Sequence, residues 1–346
     1  MRLSSKSVEL PDSLEALNDL VCEQRWGDGL PVIPPTEERV ERMISCLGRE
    51  PDELVARIAV AYGEATIEKL AINSVMAGCL PEYFPVVVAA VEALAEPDFN
   101  LHGVQTTTSP VAPVAIINGP IRHELGINCT WGCLGPGCRA SATIGRAIRF
   151  VLLNLGGGLP GDVDKSCMGM PAKYTFCFGE DEEGSAWEPL HVERGFDREQ
   201  STVTVFGVHD MRSDVVAGAD GRNWMKVLAN TLSDVGSVGM WVGKGEPVML
   251  LTSAHSSNLA AQGFSKADVK RFIYEHASVP VERVLEIRGE ARKDLMRVID
   301  GKSVSCAGPD DIMVVVAGGT EPIHLMVMSS WGETRAQTKV IPPKKQ

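Results

Sequence analysis

At 346 residues and 44% hydrophobic content, the chain has enough apolar material for a large core without disulfide or metal staples. A formal charge of -12 argues against a nucleic-acid surface, which sets clustered Lys and Arg against phosphate; the only basic cluster is the tail Lys344-Lys345-Gln346. No apolar run approaches the roughly 20 residues of a membrane helix and no signal core follows Met1, so a cytoplasmic protein with nine reduced cysteines is expected.

In chain order, Leu14, Leu17, Leu20 and Val21 recur at helical spacing, with Asp12 or Ser13 placed to cap a helix over 13–22. The prolines of 26–35 then forbid helix, and Thr36 caps a second one that Gly48 stops. Residues 1–56 thus form a helical N-terminal arm. From Arg57 the pattern turns α/β: a strand at 58–63, a helix at 65–78, and an inserted stretch 80–112 with an apolar helix at 84–94. A buried strand at 113–118, a helix at 140–155 and a strand at 174–178 complete a first unit, 57–180. A second unit, 181–282, opens with an irregular connector at 187–194 and has a strand at 202–207, a helix at 222–236 and a strand at 247–252. Strands at 312–317 and 323–328 lie in 283–346, ahead of a poorly ordered tail beyond Pro342.

A weak internal repeat relates the two units. Gly63, Leu70, Ala71 and Gly78 match Gly221, Leu228, Ala229 and Gly236, and Ala142, Ile144, Arg146 and Ile148 match Ala267, Val269, Arg271 and Ile273. The predicted architecture is therefore α/β, two related units with mixed sheets. Fourteen residues separate Ile127 from Ala142, but only two separate Phe264 from Ala267. The surplus is the loop Asn128-Cys129-Thr130-Trp131-Gly132-Cys133-Leu134-Gly135-Pro136-Gly137-Cys138-Arg139.

This loop is the expected site of the chemistry. Its C-x3-C-x4-C spacing is neither a zinc knuckle nor a ferredoxin pattern, but Cys129, Cys133 and Cys138 could hold a metal ion or three corners of an iron-sulfur cluster. Cys138 precedes a helix, where free amides favour a thiolate, and a lowered thiol pKa suits a nucleophile. The plain alternative is three small core residues in a glycine-rich turn. Gly132, Gly135 and Gly137 could also cradle an anion, although no nucleotide fingerprint is present. Cys22, Cys46 and Cys306 stand alone and read as packing residues, with Cys79, Cys167 and Cys177 intermediate. His123 is a further candidate for proton transfer, and His102, Arg146 and Lys173 for binding substrate. Ser253 and His255 lack a nucleophile elbow.

The strings Asp28-Gly29-Leu30-Pro31-Val32-Ile33-Pro34-Pro35-Thr36, Ala71-Ile72-Asn73-Ser74-Val75-Met76-Ala77-Gly78-Cys79-Leu80-Pro81-Glu82-Tyr83 and Trp187-Glu188-Pro189-Leu190-His191-Val192-Glu193-Arg194-Gly195 resemble a largely uncharacterised bacterial family associated with small Sec/Cys-Gly-Ser-Cys (UGSC-motif) proteins. The resemblance covers most of 25–275 and implies a thiol or selenol redox partner. It singles out Cys133, within the shared Gly-Cys-Leu-Gly-Pro-Gly core. Together these readings lead to an enzyme of small-molecule metabolism, an oxidoreductase or lyase, using the loop cysteines as thiolate or metal ligands. The alternatives are a noncatalytic binding or scaffold subunit of a thiol or selenol redox complex, and an iron-sulfur hydro-lyase. A small-molecule substrate and a homo-oligomer are expected.

Overall fold

The computed structural model describes residues 2–216, 218, 220–291 and 293–344, so the end of the tail at 345–346 lies outside the described residues. Helix α1 (Leu14–Glu23) is capped by Ser13, whose hydroxyl accepts from Ala16 N. Helix α2 (Glu37–Leu47) is capped by Thr36 and ended by Gly48 at φ 71°, a conformation that disfavours a Cβ. Val21, Val32, Met43 and Ile44 enter the largest core cluster, so the arm is a packed layer.

β1 (Leu54–Ile58) and β2 (Gly63–Thr66) pair antiparallel as a ribbon of their own. Residues 58–63, expected as a strand, contain the turn of this ribbon. The amides of Val60 and Ala61 donate to Gly156 O and that of Gly63 donates to Leu155 O, so these donors are satisfied without a sheet neighbour. Then come α3 (Ile67–Ala77), α4 (Phe84–Leu94), α5 (Leu101–Thr106), β3 (Ala112–Asn118), α6 (Ile121–Glu124), α7 (Arg139–Asn154), β4 (Cys177–Gly179), α8 (Leu190–Glu193) and β5 (Thr202–Val215). Helix α4 has no polar face because it is buried all round except at Glu92. The chain continues through α9 (Gly221–Leu232), α10 (Val238–Val242), β6 (Val248–Leu251), α11 (Ser253–Ala261), α12 (Lys266–His276), β7 (Ser278–Pro280), α13 (Val281–Arg288), β8 (Val298–Ile299), β9 (Lys302–Val304), β10 (Met313–Val316), β11 (His324–Ser330) and β12 (Gln337–Val340).

The fold is α/β, as predicted. One mixed sheet runs β10-β6-β11-β5-β3-β4, with β12 also on β5, while β7, β9 and β8 form a small sheet. Strands from all three expected segments, 57–180, 181–282 and 283–346, share the main sheet. β3 pairs parallel with β4 and antiparallel with β5; β6 pairs parallel with β10 and antiparallel with β11. The strands matched by the proposed repeat differ, however: 58–63 lies outside the main sheet, whereas β5 is central to it. No helix among the described residues is long and apolar enough to cross a membrane.

The sheet curls until its edges meet. Asp181 N, just past β4, donates to Val316 O of β10 at 2.7 Å, and Gly318 N donates to Cys129 O at 3.0 Å. Side chains alternate accordingly. Val114, Ile116, Phe178, Phe206, Leu250 and Val315 fill the concave interior. Ala115, Ile117 and Val205 point outward into the cluster that includes α3, α4 and α7, and Met249, Leu251 and Val314 into the one with α9 and α12.

A buried histidine supports the second half. His255 caps α11 with Thr252: its Nδ1 accepts from Thr252 N at 3.3 Å, and its ring stands edge-on to Trp224, centroids 4.8 Å apart. Among the described residues its buried Nε2 has no hydrogen-bond partner, and burial pulls its pKa down to about 4. Since the folded pKa lies below the ordinary value of about 6.5, the unfolded chain gains the proton first as pH falls, and stability is lost between those two values. Unfolding by urea should show a loss of about 2 kcal/mol between pH 7 and pH 5, absent in His255→Gln. Equal pH dependence in the two proteins would refute this assignment.

Candidate functional site

The cysteine loop spans the end of α6 to the start of α7 and lies over the joined sheet edges. Asn128 organises it: its side chain accepts from Thr130 N at 3.0 Å and donates to Trp131 O at 3.0 Å, while its carbonyl accepts from Gly179 N. Trp131 projects over Gly319, where a Cβ would lie 2.6 Å from the indole. The loop thus binds one half of the sheet to the other. Cys133 N donates to Thr130 O and Gly135 N to Gly132 O, so one of the three glycine amides of the expected anion cradle is committed within the loop.

The three loop cysteines have separate environments. Cys129 is buried, donates toward Ile127 O at 3.4 Å and faces Arg122 Nη1 at 3.9 Å; a Cβ on Gly179 would lie 2.4 Å from its sulfur. Cys133 belongs to the apolar interior cluster. Burial pushes both thiols up to about 11. Cys138 is the N-cap of α7: its sulfur accepts from Ser141 N at 3.4 Å and donates to Gly126 O at 3.1 Å. Partial burial opposes its ionisation, but hydrogen bonds from Ser141, Asn128 and Ala140 outweigh it and bring the thiol below its ordinary value.

Among the described residues no group of three or more His, Cys, Asp or Glu side chains is arranged to hold a metal ion. The expected ligand set Cys129, Cys133 and Cys138 does not converge, because one thiol turns toward Arg122, one into the apolar interior and one onto the helix terminus. Burial accounts equally for Cys79 and Cys306, whose thiols are pushed up to about 12.

The other expected site residues are dispersed. His123 is exposed, with Nε2 3.0 Å from Glu183. His102 lies exposed on α5. Arg146 is no open carboxylate binder: Nε and Nη2 grip Asp28 at 2.7 and 2.8 Å, and Nη2 donates to Leu30 O and Pro31 O. It fastens the extended 26–35 segment to α7. Lys173 is paired with Asp164 at 2.5 Å, and burial holds its pKa down.

What the sequence reading missed is the acidic run Glu180-Asp181-Glu182-Glu183 after β4 and the arginine that gathers it. Arg122, 2% exposed, donates to Glu180 O at 2.7 Å, to both carboxylate oxygens of Glu183 at 3.0 and 3.1 Å and to Gly119 O, and pairs with Glu182 at 3.0 Å. The hydrogen bonds to Arg122 hold Glu183 at about 2, whereas burial raises Glu180. Four consecutive acids beside a turn were the available signal; their partner lies roughly sixty residues earlier. The set links Cys129, through Arg122 and Glu183, to His123.

No protein-family model, curated protein or solved structure matches this chain.

Proposed function

We propose that the chain is a thiol-dependent enzyme of small-molecule metabolism in which Cys138 is the reacting thiolate, within the Sec/Cys-Gly-Ser-Cys-associated family whose strings it resembles. One observation carries this reading: Cys138 alone among the loop cysteines sits on a helix terminus with its pKa lowered, while Cys129 and Cys133 are raised to about 11. A thiolate held there can attack a disulfide sulfur or an electrophilic carbon. The shift of emphasis from Cys133 to Cys138 follows from burial, since a thiol in the apolar interior is poorly ionised at neutral pH.

Alkylation with iodoacetamide across pH 5–10, followed by peptide mass spectrometry, tests the assignment. Cys138 should react at least about tenfold faster than Cys129 and Cys133 at pH 7, with a midpoint below the free-thiol value of about 8.5. Cys138→Ser should remove that fast phase. A midpoint at or above the free-thiol value would end this reading.

A further inference from the structure

Arg149 lies on α7 with only 8% of its surface exposed, and burial lowers its pKa to about 10. Among the described residues its guanidinium makes no hydrogen bond or ion pair; Asp164 is the one charge that favours its protonated form, from beyond ion-pair reach. Arg122, the other enclosed arginine of this half, shows the usual arrangement, its donors committed to Glu182, Glu183 and two carbonyls.

Asp164 is already engaged. Its Oδ2 accepts from Lys173 Nζ at 2.5 Å and its Oδ1 from Ser166 N at 2.9 Å, in a loop that Cys167 N ties to Thr108 O at 3.0 Å. The side chains of Lys173 and Asp164 are 15% and 10% exposed, and the lysine charge and that of Arg149 oppose one another. Two enclosed cations therefore share one enclosed carboxylate, which leaves one positive charge in excess. An isolated buried guanidinium is costly unless an anion meets it. None of the Arg149 nitrogens is among the fully enclosed unpartnered atoms, so the guanidinium still touches a space that admits water.

We infer that Arg149, beside the Lys173–Asp164 pair, anchors a binding site for a small carboxylate whose two oxygens accept from the guanidinium fork. The planar fork presents parallel donors matched to a carboxylate, and a single negative charge cancels the excess. A phosphate dianion would exceed it and meet Asp164 as a like charge. At a rise of roughly 1.5 Å per residue the site stands about 16 Å along α7 from Cys138, so it is separate from the reacting thiol.

Calorimetric titration with sodium acetate and with sodium phosphate, at about pH 8 and constant ionic strength, tests this. Acetate should saturate the protein at millimolar concentration, and phosphate should bind about tenfold more weakly or worse. Arg149→Met should weaken acetate about tenfold or more, yet its urea midpoint should be no lower than the parent's. The variant removes an unpaired buried charge and leaves Lys173 and Asp164 paired with each other. No saturation by acetate, phosphate binding as tight as acetate, an unchanged acetate affinity in Arg149→Met, or a lower urea midpoint in that variant would each overturn the assignment.

Discussion

Arg122→Met is expected to destabilise the protein by about 3–5 kcal/mol, because it leaves an uncompensated buried charge. The guanidinium, 2% exposed, holds Glu182, whose side chain is 8% exposed, and also bonds the Glu180 carbonyl. Glu182 would keep its bonds from Gly119 N at 2.7 Å and Asn118 Nδ2 at 3.0 Å but lose the only cation that the described residues place within 3.5 Å of it. Glu183→Gln should do much less, since that side chain is 60% exposed. Glu183 adds a pH-dependent part of its own, reduced by its exposure. Its folded pKa, about 2, lies below the ordinary value, so its contribution is complete above about pH 4.5 and disappears as pH falls toward 2. Urea midpoints of the three proteins measure both effects, and a loss below about 1 kcal/mol in Arg122→Met would refute the buried network as a stabilising unit.

Gly119→Ala should be comparably severe, at about 3 kcal/mol or more, through two independent causes. Gly119 has φ 81°, and an added Cβ would lie 2.3 Å from Gln200 O and 2.7 Å from Ser201 Cα. Backbone atoms cannot rotate aside as a side chain can. Gly126 is the control: at φ 63° with open space where its Cβ would stand, Gly126→Ala should lose only about 1 kcal/mol, the conformational part alone. Equal midpoints for the two variants would refute the steric argument.

The sequence by itself determined what neighbouring residues decide. Ser13 and Thr36 cap their helices, Gly48 ends α2, α4 occupies the predicted 84–94, and Cys138 takes the N-cap of α7. These features depend on hydrogen bonds spanning three or four residues, which local chemistry specifies. Cys138 was a legible candidate for that reason, since the hydrogen bonds that lower its pKa come largely from the first turn of its own helix.

Only the tertiary structure decided the rest. Residues 58–63 have strand composition, but the carbonyls at 155–156 claim their amides. Arg146 resembled a substrate binder until Asp28, 118 positions earlier, filled its fork. Cys129 and Cys133 were expected beside Cys138 as thiolate or metal ligands, but the curl of the sheet buries one beside Arg122 and the other in the interior. Pairing across such separations is selected by burial and mutual satisfaction of polar groups, and the periodicity of one segment contains neither.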